Sequence, residues 1–200
     1  MKNIVIIGNA PIDTDYSKTV NSADFVIRFN EARNYHENNG TKTDALCINN
    51  LSDPARRFAK YKTIKKLPFI EEVKEIWFPR SIGFFPKQFL IKPFRDNTFK
   101  RTNYKKHIIS RNNLENKKII CFSSDLYIET CNELNIDPKS NNCVPSSGYL
   151  AIQYVLQRFQ GLNANITLLG FTFMGADCHP WENEKNKVIE LQKQKVINLI

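Results

Sequence analysis

The stretch KNIVIIGNAP, Lys2 to Pro11, decides how the rest of the chain is read. Ile4 to Ile7 form an unbroken apolar run, and Gly8 closes it with a turn. A strand without polar alternation is buried on both faces, as in a parallel sheet sandwiched between helices. Lys2 ahead of an apolar run also resembles a weak secretory leader. The run is too short for that, however, and no small-residue cleavage site follows.

The same rhythm continues downstream. Asp24–Asn30, Asp44–Asn49, Lys74–Pro79, Lys117–Ser123 and Asn165–Gly170 read as further short strands. Pro54–Ile64, Ser124–Leu134, Ser146–Phe159 and Glu184–Leu199 read as helices, the last closing the chain. Tyr149, Ile152, Leu156 and Phe159 give one of them an apolar face at helical spacing. Alternation of β and α segments predicts an α/β domain with a mainly parallel sheet and helices on both faces. The pattern loosens at about residues 81–110, where Phe, Lys and Pro dominate and an insertion or lid is expected.

Composition narrows the class. The 200 residues, 42% of them hydrophobic, suit a single globular domain over 1–200. No apolar run reaches the length of a membrane span. Five cysteines without a CxxC pair suit reduced thiols and a cytoplasmic setting, not zinc. Charge is unevenly placed: residues 56–118 hold 18 Lys and Arg against 5 Asp and Glu, and the remainder holds 11 against 15. A solvated face explains such a bias. So does a surface held against anionic membrane, glycolipid or nucleic acid.

In an open α/β sheet, ligands sit beyond the carboxyl ends of the strands. Those ends carry Gly8-Asn9-Ala10, Asn30, Asn49-Asn50, Ser123-Ser124 and Gly170-Phe171. An asparagine amide donates and accepts, which suits ribose or sugar hydroxyls; it is also a common turn former. GNAP is no GxGxxG fingerprint, and no P-loop occurs, so neither a dinucleotide nor a P-loop nucleotide is indicated. Pro145-Ser146-Ser147-Gly148 opens a helix. Its serines suit an ordinary N-cap worth about 1 kcal/mol, or an anion site at the helix start. Asp13-Thr14-Asp15 has the DxD form that holds a divalent ion in many glycosyltransferases. It also suits capping of a short helix through Tyr16-Ser17-Lys18. His179, with Glu182 and Glu184 after it, stands past the last strand. There an imidazole serves either as a general base or as a loop residue ahead of the final helix.

Taken in order, these segments resemble the sialyltransferases, the bacterial enzymes of lipooligosaccharide above all. The similar segments are Ile7-Gly8-Asn9-Ala10-Pro11, Phe25 to Asn30, Gly40 to Asn49, Pro145-Ser146-Ser147-Gly148 with Ile166 to Gly170, and His179-Pro180-Trp181-Glu182. The likeness covers about residues 3–50 and 144–195. It implies a Rossmann-like (GT-A-like) fold and an inverting, metal-independent glycosyltransferase without cofactor. The substrate it implies is a CMP-activated acidic sugar, sialic acid first and CMP-Kdo as the variant. The acceptor implied is a cell-surface glycan such as lipooligosaccharide or capsule, as in lipopolysaccharide biosynthesis. On this resemblance Asn9 and Asn30 contact donor phosphate and ribose. Asn49, Ser146 and Ser147 contact the sugar carboxylate or the nucleotide. Gly8, Ala10, Gly148, Gly170 and Phe171 complete the donor pocket, and His179 is the base. Phe171 and Phe173 stand where relatives often carry phosphate-binding tyrosines. The expected location is cytoplasmic, with peripheral contact at the inner membrane face. A competing class, a non-catalytic module for nucleic acid or anionic glycan, rests on the basic middle and its interleaved Phe, Tyr and Trp residues, and no recognised nucleic-acid motif supports it.

Overall fold

The computed structural model describes residues 1–36, 38–80, 103–140 and 143–200. Among them seven strands form one sheet: β1 (Lys2–Ile7), β2 (Phe25–Phe29), β3 (Ala45–Cys47), β4 (Glu75–Phe78), β5 (Lys118–Cys121), β6 (Ala164–Leu169) and β7 (Ile197–Leu199). Their order is β5-β4-β3-β2-β1-β6-β7, and every pairing is parallel. Six described α-helices connect them: α1 (Ser17–Ser22), α2 (Ser52–Tyr61), α3 (Lys105–Arg111), α4 (Ser124–Glu133), α5 (Ser147–Arg158) and α6 (Trp181–Lys193).

Strand geometry explains the missing alternation. Side chains of β1 point to opposite faces in turn. Ile4 and Ile6 join the large cluster with Trp77, Tyr149, Leu150 and Val155. Val5 and Ile7 join Val20, Val26 and Leu169 on the other face. Leu46, Ile48, Ile76 and Phe78 form a third cluster with Ala55 and Phe58 of α2 and Ile108 of α3. All four β1 residues are at most 2% exposed. Each contributes about 2 kcal/mol by burial, so both faces must be covered for β1 to persist.

The chain runs outward from β1 to β5, then returns through α5 to place β6 on the other side of β1. The strand order therefore reverses between β1 and β6. That switch point opens a crevice at their carboxyl ends.

The last element departs from expectation. Residues 184–199 are not one helix: α6 begins earlier, at Trp181, and ends at Lys193. Lys195 turns with φ of 59°, and β7 then pairs with β6, Ile197 beside Ile166. Gln192 to Lys195 offer no apolar side chain to hold a helix against the sheet. Ile197, 2% exposed, reaches the core as a strand instead. Helix α1 runs from Ser17 to Ser22, where a short helix through Tyr16-Ser17-Lys18 is expected, and α3 is a helix that the sequence pattern does not give. Most of the expected insertion at residues 81–110 lies outside the described residues; within its end, α3 begins at Lys105. No described helix is long and apolar enough to cross a membrane, and the five cysteines are free thiols.

Candidate active site

Two glycines form the floor of the crevice. Gly8 N–H donates to the Leu169 carbonyl at 2.8 Å, and Ala10 N–H donates to the Gly170 carbonyl at 3.2 Å. A Cβ on Gly8 would stand 2.1 Å from the Gly170 oxygen, and Gly170 itself holds φ of 64°. Contact demands the first glycine and backbone conformation the second.

From that floor a continuous polar line crosses the strand ends. Asn30 adopts a left-handed φ of 53°, a conformation asparagine tolerates, and its Oδ1 accepts the Asn49 N–H at 2.9 Å. Asn49 Oδ1 accepts from Leu51 N–H at 3.1 Å and from Arg80 Nη1 at 3.2 Å. Arg80 Nη1 also reaches Ser147 Oγ at 3.4 Å, and its Nη2 donates to the Pro145 carbonyl at 2.8 Å. Arg80 is only 6% exposed, and burial pushes its pKa down. Its backbone is pinned by Asn50, whose side chain bonds the Arg80 carbonyl at 2.9 Å and the Arg80 N–H at 3.3 Å.

The start of α5 is built from two different serines. Ser146 is the N-cap, its Oγ accepting the Tyr149 N–H at 3.0 Å. Its only hydroxyl proton goes to Glu184 Oε2 at 2.7 Å, while its N–H donates to Glu184 Oε1 at 2.6 Å. The capping alternative is thus the one realised at Ser146. Ser147 turns its oxygen to Arg80 instead. Gly148 leaves room for a ring: a Cβ there would lie 3.1 Å from Phe171 Cε1. Phe171 thereby bridges the β6 end and the α5 start, edge-on to Phe29 at 6.2 Å. Glu184 is 1% exposed, and burial raises its pKa to about 7.

His179 is held against the same helix start. Val144 N–H donates to the Cys178 carbonyl at 2.9 Å, and His179 Nδ1 stands 2.8 Å from the Val144 carbonyl. A carbonyl only accepts, so Nδ1 carries the proton and Nε2 keeps its lone pair. Burial, joined by the positive charge of Arg80, pushes the imidazole pKa below its usual value, against the pull of the Val144 carbonyl. The ring lies edge-on to Trp181 with centroids 5.0 Å apart. A neutral imidazole at physiological pH, with one nitrogen anchored and the other without a partner among the described residues, is equipped to accept a proton.

The structure therefore links Asn30, Asn49, Ser147 and, through Pro145 and Val144, His179. Asn9 is exposed and bonds elsewhere: its Oδ1 accepts the Arg33 N–H at 3.3 Å, and its carbonyl accepts from Asn34 at 3.0 Å. Asp15 Oδ1 accepts the Ser17 N–H at 2.8 Å, and bonding to the Ser17 side chain and then to this N–H lowers its pKa. The expected cap is not realised, since the N-cap of α1 is Tyr16, without a side-chain cap. Among the described residues, no group of three His, Cys, Asp or Glu side chains could hold a metal ion. A hollow of about 670 Å³ lies between α4, α5 and the start of β6, lined by Glu129, Glu133 and Gln153 among others. Its β6 residues, Ala164 and Ile166, belong to the amino-terminal half of the strand, away from the carboxyl end at Gly170, and it holds no residue of the polar line. The polar groups converging at the strand ends, not this hollow, mark the candidate site.

Two residues escape the sequence reading. Arg80 stands two positions past β4, and the strand-end rule that singled out the asparagines would have found it. Glu184 was noted only as a neighbour of His179; nothing in sequence pairs it with Ser146.

The profile of glycosyltransferase family 29 (sialyltransferase) matches residues 1–198. A "Urease operon 23 kDa accessory protein" of Rhizobium meliloti (strain 1021) is 24% identical over 209 residues, 96% of this chain and 89% of that protein. The sialyltransferase CstII from Campylobacter jejuni, solved in complex with the substrate analogue CMP-3FNeuAc, superposes with a TM-score of 0.59 at 17% identity. That superposition covers 100% of this chain and 80% of CstII. A mammalian sialyltransferase in complex with Gal-beta-1-3GalNAc-ortho-nitrophenol gives a TM-score of 0.58 at 16% identity, covering 100% and 69% respectively.

Proposed function

The chain belongs to glycosyltransferase family 29, the sialyltransferases, and from that membership we propose that it moves an acidic keto sugar from a CMP donor to a glycan hydroxyl. The observation that carries this reading is the imidazole of His179, anchored through Nδ1 on Val144 and set beside the α5 start and Arg80. Nε2 takes the proton of the acceptor hydroxyl as that oxygen attacks the anomeric carbon. The C–O bond to the CMP phosphate breaks on the opposite face, so the configuration inverts. A base of this kind supplies roughly two to four decades of rate. Asn30 and Asn49 from the strand ends and Ser147 from the α5 start bind the donor, over the Gly8–Gly170 floor and the Phe171 ring. No metal is required in this scheme, because donors fixed by the protein meet the departing phosphate.

Sialic acid is the donor sugar we favour, with Kdo as the variant. The acceptor we favour is a surface glycan such as lipooligosaccharide, approached from an anionic membrane face by the basic middle of the chain. Family membership sets aside the non-catalytic module. Calorimetry with CMP, followed by product mass from CMP-sialic acid and CMP-Kdo in the presence of EDTA, tests the scheme. CMP binding and a sialylated or Kdo-bearing product with EDTA present are expected. No CMP binding, or transfer that stops with EDTA, overturns it.

A further inference from the structure

Arg80 is buried without a counter-charge among the described residues. Among the described residues no carboxylate lies within ion-pairing distance of its guanidinium, and its hydrogen bonds end on two neutral side chains and a carbonyl. Glu184, whose field reaches Arg80, is committed to the N–H and O–H donors of Ser146. A buried charge left unpaired is unfavourable for the fold. Here it is kept rigidly, with Asn50 clasping its backbone from both sides.

Its hydrogen bonds also dictate what its neighbours can do. A guanidinium only donates, so Asn49 must offer Arg80 its Oδ1 and Ser147 its oxygen. Asn49 Oδ1 is further occupied by the Leu51 N–H. The Asn49 amide N–H₂ and the Ser147 O–H then remain as donors, and neither has a partner among the described residues. Two neutral donors set around a buried cation form a cradle for an anion, and their polarity is fixed before the ligand arrives.

We propose that Arg80 is a positioning residue of the donor site, turning the Asn49 amide and the Ser147 hydroxyl into donors for an anionic group of the substrate, a carboxylate or a phosphate. This rests on the CMP-donor reading above. It also supplies what Phe171 and Phe173 lack, since neither ring can donate to an oxyanion.

The test compares ligands that differ only in charge. Arg80→Lys and Arg80→Gln, each confirmed folded by circular dichroism, are titrated with cytidine, CMP and CMP-sialic acid. Cytidine affinity should stay within about twofold, whereas an anion contact should weaken about tenfold or more, as charge-assisted bonds do. A loss that appears with CMP assigns the phosphate; a loss that appears only with CMP-sialic acid assigns the carboxylate. Parallel losses for cytidine and CMP, or no loss for any ligand, overturn the proposal.

A second arm needs no ligand and covers the case in which the arginine variants do not fold. Asn49→Asp places a carboxylate beside Arg80 and should raise the melting temperature at neutral pH while weakening CMP binding. A lower melting temperature shows that Arg80 had no unmet charge, and the inference fails. Wild-type protein that binds neither CMP nor cytidine sinks the donor reading instead, and the melting arm still decides the state of Arg80.

Discussion

The two ends of strand β4 treat buried charge in opposite ways. At the amino end, Glu75 receives both guanidinium nitrogens of Arg158 at 2.6 and 3.0 Å, Lys118 Nζ at 3.0 Å and the Trp77 indole N–H at 2.9 Å. Burial pushes its carboxyl up, and these donors outweigh burial, holding it down at about 2. Past the carboxyl end, Arg80 is as well buried but, among the described residues, meets only neutral oxygens. Closed charge at one end holds sheet to helix. The charge left open at the other end, among the described residues, is the one we propose serves a substrate anion. Arg28 marks the boundary between the two cases. It too meets no carboxylate among the described residues, but five bonds to oxygens of Asn39, Gly40, Lys42 and Thr43 tie it to one loop. Its donors fold a turn; those of Arg80 orient side chains at a crevice.

The contrast can be broken by experiment. The largest effect belongs to the carboxyl end: His179→Ala should lower transfer about 100- to 10,000-fold, with melting temperature and CMP affinity kept. Undiminished turnover by this variant would remove the imidazole from the chemistry. Next is Glu75→Ala at the amino end, which leaves Arg158 half-buried and unpaired. It should destabilise the fold by about 3 kcal/mol in denaturant unfolding, while turnover per folded molecule stays the same. Lost activity with unchanged stability would show that the two ends are not separate in function.

The smallest effect is a change of slope with pH. Glu184 is raised to about 7 by burial, so the folded state binds its proton more tightly than the unfolded chain does. Its contribution is fully present below about 4.5 and is lost as pH rises through about 7, at no more than about 1.4 kcal/mol per pH unit. Glu184→Gln keeps an acceptor for the Ser146 N–H and removes that slope; urea unfolding at pH 5 and pH 8 measures it. A slope that survives the substitution belongs to another group. His179 acts in the other direction. Its lowered pKa keeps the base free above that value, so turnover should fall only as pH drops below the ordinary imidazole range near 6.5.

Much of the site is legible because it lies where local patterns are decisive. An apolar run that stops at glycine or asparagine gives both the strand and its functional end, so Gly8, Asn30, Asn49 and Gly170 could be placed without coordinates. His179 could be placed after the last of these strands by the same logic. The serine pair was legible only as a pair. Which hydroxyl caps α5 and which faces Arg80 depends on Glu184, 38 residues away along the chain. β7 was misread because its three residues gain strand character only from pairing with β6.

The sequence by itself determined a parallel sheet covered on two faces, with an amide-bearing rim. Every part of that follows from side-chain periodicity and from which residues can end a strand. Only the tertiary structure decided that Arg80 joins Asn49 to an α5 start 65 residues away at Pro145, and that His179 offers Nε2 rather than Nδ1. Hydrogen-bond partners and desolvation are properties of the assembled crevice, and no local pattern along the chain encodes which donor a buried oxygen will meet.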